Sequence, residues 1–202
     1  MSLRYALLAI LRVGPLSGYD LQKQFSQSVG HVWHAPDSQI YPELRKMEAA
    51  GLVEGEDQLR GARGTRRVYH VTPEGDRAFM EWMGSPLDYQ RVRDPAHLRA
   101  AYLESASPES AREFFRKHIQ VWEGELAQFE GELTHIQNVS NPMLVRRLEK
   151  MPDGDREATI EYKRLAYQGL VDRAQVEINW AQRGLDLVTR LEKEKVDDDV
   201  PD

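Results

Sequence analysis

The sequence contains no cysteine, and this absence excludes both a disulfide framework and a metal site built from thiolates. A chain without cysteine suits a reducing compartment, so we expect a cytoplasmic protein. Long apolar runs are also missing. Residues 6–11 are too few to cross a bilayer, and they are followed by Arg12 rather than by a small-residue cleavage site. We therefore expect a soluble protein that is neither exported nor bound to a membrane.

An excess of positive charge is missing as well, since 27 Lys and Arg stand against 33 Asp and Glu. Taken over the whole chain, this negative net charge argues against nucleic-acid binding. The conclusion changes when the charges are counted separately before and after Gly84. Residues 1–84 carry 10 basic and 10 acidic side chains, so the acidity lies in the second part of the chain. The first part is neutral, and its basic residues are clustered.

Patterns that signal catalysis or metal binding are lacking too. The six histidines show no HExxH motif and no pair one helical turn apart with a third ligand nearby. There is no glycine-rich phosphate loop and no nucleophile elbow, and the carboxylates of the long helices alternate with Lys and Arg as on solvated faces. We expect no metal, no cofactor and no catalytic residue. A small-molecule enzyme stays an alternative class without a supporting set of residues.

What is present begins with a short amphipathic helix within residues 37–53. Asp37 or Ser38 can cap its start, and Gly51 stands where a left-handed C-cap would end it. One stripe at helical spacing is apolar: Ile40, Leu44 and Met47. The outer face carries side chains of the types that reach base edges and phosphates from the major groove: Gln39, Tyr41, Arg45 and Lys46. The alternative for this segment alone is an ordinary solvent-exposed face.

The surrounding pattern is that of a winged helix-turn-helix. Residues 3–11 predict a first helix, and Ser17 can cap a second one with Leu21 and Phe25 inward. After the third helix, residues 52–58 and 65–72 are candidate strands joined by a glycine-bounded tip. Four arginines in and beside this tip predict a phosphate clamp on the wing: Arg60, Arg63, Arg66 and Arg67. Solvation of an exposed loop is the alternative.

The second part of the chain predicts two long helices with packing seams. From Ser107 onward, large apolar residues recur in alternating steps of four and three. A last helix from about Asp155 repeats this spacing with smaller residues, including Ala174 and Ala181. We predict a dimerisation arm held by Phe115, Ile119, Trp122, Leu126, Phe129, Val171, Ile178 and Leu185. An intramolecular helical hairpin without a second subunit is the alternative.

These elements predict a mainly α protein: an N-terminal winged helix-turn-helix followed by a C-terminal long-helix dimerisation domain. We assign residues 1–86 to the winged-helix DNA-binding domain and residues 87–195 to the helical dimerisation domain. Residues 196–202 are charged and lack aromatics, which predicts a disordered tail.

Several motifs in this order resemble the PadR family of transcriptional regulators. They cover about the first 80 residues: Ser17-Gly18-Tyr19-Asp20-Leu21, Trp33-His34-Ala35, Ser38-Gln39-Ile40-Tyr41-Pro42-Glu43-Leu44, Gly51-Leu52-Val53, and Arg67-Val68-Tyr69 running to Thr72-Pro73-Glu74-Gly75. The second half resembles the longer members only in its helical layout. The resemblance implies a dimeric regulator and often an aromatic or phenolic effector. It also adds Tyr19, Ser38 and Pro42 to the candidate DNA-binding residues.

The sequence thus predicts a sequence-specific DNA-binding regulator: an effector-responsive repressor that binds a palindromic operator in double-stranded DNA as a homodimer. A small aromatic effector could stack on indole rings between subunits, for which the candidates are Trp33, Trp82, Trp122 and Trp180. Core or seam packing is the alternative for each of them. The alternative function is a coiled-coil interaction protein whose winged helix binds protein.

Overall fold

The chain is described from a computed structural model that covers residues 2–27, 30, 32, 35–60, 64–89 and 93–198. Its elements in chain order are α1 (Ser2–Leu11), β1 (Leu16–Ser17), α2 (Gly18–Gln27), α3 (Asp37–Ala49), β2 (Val53–Arg60), β3 (Gly64–Val71), α4 (Pro73–Gly84), α5 (Pro95–Ala100), a 3-10 helix (Leu103–Ser105), α6 (Pro108–Gln137), α7 (Pro142–Glu149) and α8 (Asp153–Asp198). The predicted mainly α fold is confirmed. Helix α8 continues to Asp198, and residues 199–202 of the predicted tail lie outside the described residues.

The chain forms two compact units. Unit 1 comprises Met1–Asp88 and Asn141–Arg156, and unit 2 comprises Tyr89–Ser140 and Glu157–Asp202. The main difference from the sequence-based division is that the residues around α7 belong to unit 1 rather than to the unit of the long helices. Met143 contributes by lying against the hydrophobic core of unit 1.

The core of unit 1 is built from the apolar faces of its helices and the inner face of its sheet. The stripe predicted on α3 is confirmed, since Ile40, Leu44 and Met47 are fully buried. Burying each such side chain contributes roughly 2 kcal/mol. Helices α1 and α2 supply the facing side chains: Leu7, Leu8, Ile10, Leu11, Leu21 and Phe25. Periodicity alone could identify this core because each helix buries one stripe.

The sheet has three antiparallel strands in the order β1-β3-β2. Strands β2 and β3 form the predicted hairpin, with Val53 opposite Val71 and Arg60 opposite Gly64. The sequence does not predict strand β1, because two residues carry no alternation. Leu16 pairs with Tyr69, and this pairing joins the start of α2 to the wing.

Most predicted helix ends are confirmed. At the start of α2, Ser17 Oγ accepts a hydrogen bond from the backbone amide of Asp20 at 3.2 Å. At the start of α4, Thr72 Oγ1 accepts one from the backbone amide of Gly75 at 3.0 Å. After α3, Gly51 adopts a left-handed φ of 69°. The cap predicted for α3 is wrong. Pro36 occupies the N-cap position and makes no side-chain cap, so Asp37 already belongs to the helix. Pro36 has an extended backbone suited to this position, but it lacks a side-chain acceptor.

Unit 2 is organised around α6 and α8, which run antiparallel. Phe115 on α6 lies against Gly184 and Trp180 of α8, and Trp122 further along α6 lies under the guanidinium of Arg173. On α8, the small residues Ala174 and Ala181 are fully buried. No described helix combines the length and the hydropathy that a membrane span needs.

Candidate nucleic-acid interface

The outer face of α3 presents the polar side chains that the sequence predicts there. Gln39, Arg45 and Lys46 are exposed, as is Ser38 in the first turn, while Pro42 is partly buried within the helix. Helix α3 begins at Asp37, so the amide of Gln39 lies near its N-terminus, the part of a recognition helix that meets base edges. The hydrogen-bonding groups of these side chains are therefore accessible to a nucleic acid.

Tyr41 connects this face to α2. Its ring lies directly over Gly18, where an added methyl group would come within 2.6 Å of Tyr41 Cε1. Only a glycine leaves room for the phenol to lie on the start of α2. The ring remains partly exposed, and Tyr19, the next residue of α2, is 68% exposed. The two tyrosines predicted as DNA-binding residues therefore line one surface.

A cleft of about 260 Å³ opens between these tyrosines and the wing. Its walls are Ser17, Gly18, Tyr19, Asp20, Tyr41, Arg66, Arg67 and Tyr69. Asp20 is the carboxylate of this wall, and it accepts a 2.7 Å hydrogen bond from Ser17 Oγ. Burial raises the pKa of Tyr69, and the nearby charge of Glu48 adds to this shift, so the phenol stays protonated. Phenol hydroxyls beside a guanidinium suit a phosphate group of a nucleic-acid backbone.

Arg66 and Arg67, two of the four arginines predicted to form the phosphate clamp, differ in their hydrogen-bond partners. Arg66 is exposed, and no described residue forms an ion pair with it. Arg67 instead donates to Glu48 Oε1 on α3 at 2.5 Å and to Asp57 Oδ1 on β2 at 3.1 Å. Its hydrogen bond to Glu48, followed by that to Asp57, raises the pKa of Arg67. Arg67 is therefore held by two carboxylates of its own chain, although its side chain is exposed, whereas Arg66 has no such partner among the described residues.

The two other arginines of the clamp cannot be placed. Arg60 is the last residue of β2, and only its backbone is described. Arg63 lies outside the described residues, as do Trp33 and His34 of the motif before α3. Their predicted roles stay predictions.

The predicted dimerisation residues all belong to α6 and α8. Phe115 and Phe129 are buried by their own chain, which is the packing of the hairpin alternative. The remaining six are partly buried: Ile119, Trp122, Leu126, Val171, Ile178 and Leu185.

Sequence reasoning missed the exposed apolar residues on another face of α8, where Leu165, Val176 and Leu187 recur every 11 residues, three helical turns. That spacing was a signal that could have found them, and the dimerisation role stays a prediction for all these residues.

The described tryptophans belong to packed aromatic clusters. Trp82 stacks on Tyr5 with ring centroids 4.7 Å apart, and Trp180 stacks on His97 at 4.2 Å. His118 forms a 3.1 Å hydrogen bond with Glu177 beside the same indole. Within the described residues, no three His, Asp or Glu side chains come together in a way that could hold a metal ion.

Comparison with known families identifies the first part of the chain. Residues 7–81 match the model of the transcriptional regulator PadR-like family. The negative transcriptional regulator PadR of Bacillus subtilis (strain 168) is 30% identical over 143 residues, which are 70% of this chain and 78% of that protein. The match therefore extends beyond the winged helix into the long helices.

Solved structures give the same result for the whole fold. The crystal structure of Bacillus subtilis PadR in complex with operator DNA matches 93% of this chain and 99% of that chain, with a TM-score of 0.72 and 25% identity. The complex of the same protein with p-coumaric acid matches with a TM-score of 0.66 and 25% identity, covering 93% of this chain and 95% of that chain. The Vibrio cholerae virulence activator AphA, at 24% identity and a TM-score of 0.67, covers 94% of this chain and 99% of its own and shares the fold.

Proposed function

Since this chain belongs to the PadR-like family of transcriptional regulators, we propose that it is an effector-responsive repressor that binds a palindromic operator as a homodimer. The DNA-binding part is the winged helix of residues 1–86, and residues 87–195 supply the dimer contacts. A repressor acts where the DNA is, so the proposed compartment is the cytoplasm. The proposed chemistry is recognition of DNA without catalysis.

The observation that carries this proposal is the continuous polar surface of α2, α3 and β3. Exposed Gln39 and Arg45 on α3 have the amide and guanidinium groups that pair with adenine and guanine edges in the major groove. The cleft beside them combines Tyr19, Tyr41 and Arg66, which can hold a backbone phosphate and set the helix in register. Base reading is thus assigned to α3, and phosphate binding to the cleft and the wing.

Dimeric binding of a palindrome follows from symmetry. A two-fold homodimer presents two identical recognition helices, so its preferred site repeats one half-site in inverted order. The exposed apolar residues of α8, including Val176, which is 63% exposed, support a second subunit in this unit, because large apolar side chains on one helix face favour a partner. The effector part of the proposal is supported by the complex of Bacillus subtilis PadR with p-coumaric acid.

A gel shift tests the proposal directly. The probe is the DNA that flanks the coding region of this protein, and a scrambled duplex of the same composition is the control. We expect a discrete complex that survives excess nonspecific competitor, with an affinity roughly 1,000-fold or more above that for the scrambled duplex, the order typical of specific binding. Equal affinity for both duplexes, or no complex at low salt, would contradict the proposal.

Light scattering on the same sample tests the assembly. We expect twice the 23.3 kDa mass of the chain at micromolar concentration. A monomer under these conditions would contradict the homodimer and the palindromic site together.

A further inference from the structure

The wing, formed by β2 and β3, is attached to the end of α3 at its base. Thr72 Oγ1 donates a 2.6 Å hydrogen bond to the carbonyl of Gly51, and the amide of Leu52 donates to the carbonyl of Met47 at 2.9 Å. These residues lie in the last turns of α3 or directly beside the inner ends of the two strands. Contacts at the base alone leave the direction in which the hairpin extends from the helix unspecified.

A second attachment lies further out along both strands. Glu48 Oε1 on α3 accepts a 2.5 Å hydrogen bond from Arg67 on β3 and a 3.0 Å hydrogen bond from the backbone amide of Gly55 on β2. The same guanidinium donates to Asp57 Oδ1 at 3.1 Å, and Asp57 is the residue opposite Arg67 in the hairpin. From Arg66 towards the tip, the described residues of β3 are exposed. The two attachments together fix the direction of the wing relative to α3.

Gly55 leaves the space that the second attachment occupies. A methyl group added there would lie 2.7 Å from Glu48 Oε1 and would also collide with the guanidinium of Arg67. Gly55 has no left-handed φ, so its backbone conformation is open to alanine. Both groups that the methyl would meet are ends of flexible side chains, which can move without the backbone. Gly55→Ala therefore displaces the contact without changing any charge.

We propose that Arg67 and Glu48 are positioning residues for operator recognition, which hold the wing at the angle where Arg66 and the base-reading face of α3 meet one duplex together. The sequence predicts a phosphate contact for Arg67, but its guanidinium already holds two carboxylates of its own chain. A specific complex needs its base and phosphate contacts at the same time, whereas nonspecific binding needs only charge. The inference rests on the proposed function.

Fluorescence anisotropy on the full chain tests this role with the operator and a scrambled duplex across a salt series. Gly55→Ala should weaken operator binding about 10-fold and leave binding to the scrambled duplex unchanged, because only the alignment of the contacts is lost. The slope of log affinity against log salt concentration should equal that of the parent, since no cation is removed. Gly84→Ala is the matched control and should bind like the parent, because its methyl group would meet no atom within 4 Å.

A double-mutant cycle shows whether Arg67 acts through Glu48. Glu48→Gln and Arg67→Ala should each weaken operator binding, and the double variant should lose about as much as the weaker single variant, because both changes break one contact. Arg67→Ala should keep the salt slope of the parent. Arg66→Ala is the comparison for a phosphate contact, which reduces that slope by about 0.9 for each phosphate no longer neutralised. Melting curves establish that every variant is folded at the temperature of the binding measurement.

Three results would overturn the positioning role. In the first, Gly55→Ala has the same ratio of operator to scrambled affinity as the parent. In the second, Arg67→Ala reduces the salt slope as Arg66→Ala does, which would make Arg67 a phosphate contact. In the third, the losses of Glu48→Gln and Arg67→Ala add up in the double variant. The parent protein separates this role from the proposed function, because a parent that binds both duplexes equally refutes the proposed function itself.

Discussion

Glu48 Oε1 on α3 accepts hydrogen bonds from Arg67 Nη2 on β3 at 2.5 Å and from the backbone amide of Gly55 on β2 at 3.0 Å. One carboxylate oxygen thereby joins the candidate recognition helix to both strands of the wing. Since base reading and phosphate binding are assigned to these two elements, their relative position decides whether both can meet one DNA duplex. The contact between Glu48 and Arg67 therefore helps to fix the position of α3 relative to the wing.

The first prediction separates Arg66 from Arg67, which are adjacent in sequence. Arg67→Ala should lower the melting temperature, because Glu48 and Asp57 lose their cation, while Arg66→Ala should leave it unchanged. Thermal melts followed by circular dichroism at low salt measure both variants. Equal melting temperatures for the two variants would mean that the link between Arg67 and α3 adds nothing to stability.

The second prediction concerns DNA binding by Gln39 and Arg66. Gln39→Ala should cost about 1 to 3 kcal/mol of binding free energy on the operator and little on scrambled DNA, because we propose that its amide pairs with a base edge. Arg66→Ala should weaken the binding of both duplexes. It should also reduce the slope of log affinity against log salt concentration by about 0.9 for each phosphate that the protein no longer neutralises. Fluorescence anisotropy across a salt series provides both quantities.

A charge control completes that experiment. Arg77→Ala removes a cation from α4, outside the interface, and should leave the salt slope unchanged. The opposite outcome is that Gln39→Ala weakens the binding of both duplexes equally while Arg66→Ala has the same salt slope as the parent protein. In that case the assignment of base reading to α3 and of phosphate binding to the wing is incorrect.

The third prediction compares two glycines of α8. A side chain at Gly184 would collide with the ring of Phe115, whereas a side chain at Gly169 would meet no atom within 4 Å. Gly184→Ala should destabilise the protein by about 1 to 3 kcal/mol through overpacking. Gly169→Ala should stabilise it by up to about 1 kcal/mol, because alanine is the better helix former. Urea unfolding gives both values, and a Gly184→Ala variant as stable as the parent or more stable would show that α6 and α8 do not pack closely at Phe115.

The fourth prediction addresses backbone strain at Val139. This β-branched residue has a φ of 50° after the end of α6, in a turn closed by a 2.9 Å hydrogen bond from the amide of Ser140 to the carbonyl of His135. Val139→Gly should stabilise the protein by about 1 kcal/mol, since glycine adopts this conformation without a steric penalty.

Its matched control is the preceding residue, Asn138, which has a φ of −85°. Asn138→Gly should not stabilise the protein, because there is no strain to relieve and glycine adds chain entropy to the unfolded state. Chemical denaturation of both variants decides the matter. A Val139→Gly variant less stable than the parent would mean that the packing of the valine outweighs its strain.

The features that could be predicted from the sequence are those set by neighbouring residues. The buried stripe of α3, the caps at Ser17 and Thr72 and the left-handed Gly51 each depend on a few adjacent positions. The link between Glu48 and Arg67 spans 19 residues and leaves no periodic signal. In the sequence, Glu48 and Arg67 each have the surroundings of an ordinary charged surface residue. Nothing in the neighbouring residues indicates that the two side chains are in contact.

The position of α7 was unpredictable for a related reason. Its segment between two proline-containing breaks is basic and short, which is compatible with any exposed connection. The packing of Met143 against the unit 1 core depends on residues far earlier in the chain.

The discontinuity of unit 1 limits how genes of this kind can recombine. A crossover near the codon for Asp88 would join one parent's Met1–Asp88 to the other parent's Asn141–Arg156, although both segments build the same unit. Such a chimera would combine a core and an α7 that did not evolve together. Regulators of this architecture should therefore exchange specificity through point changes in α3 more readily than through swapping of whole halves.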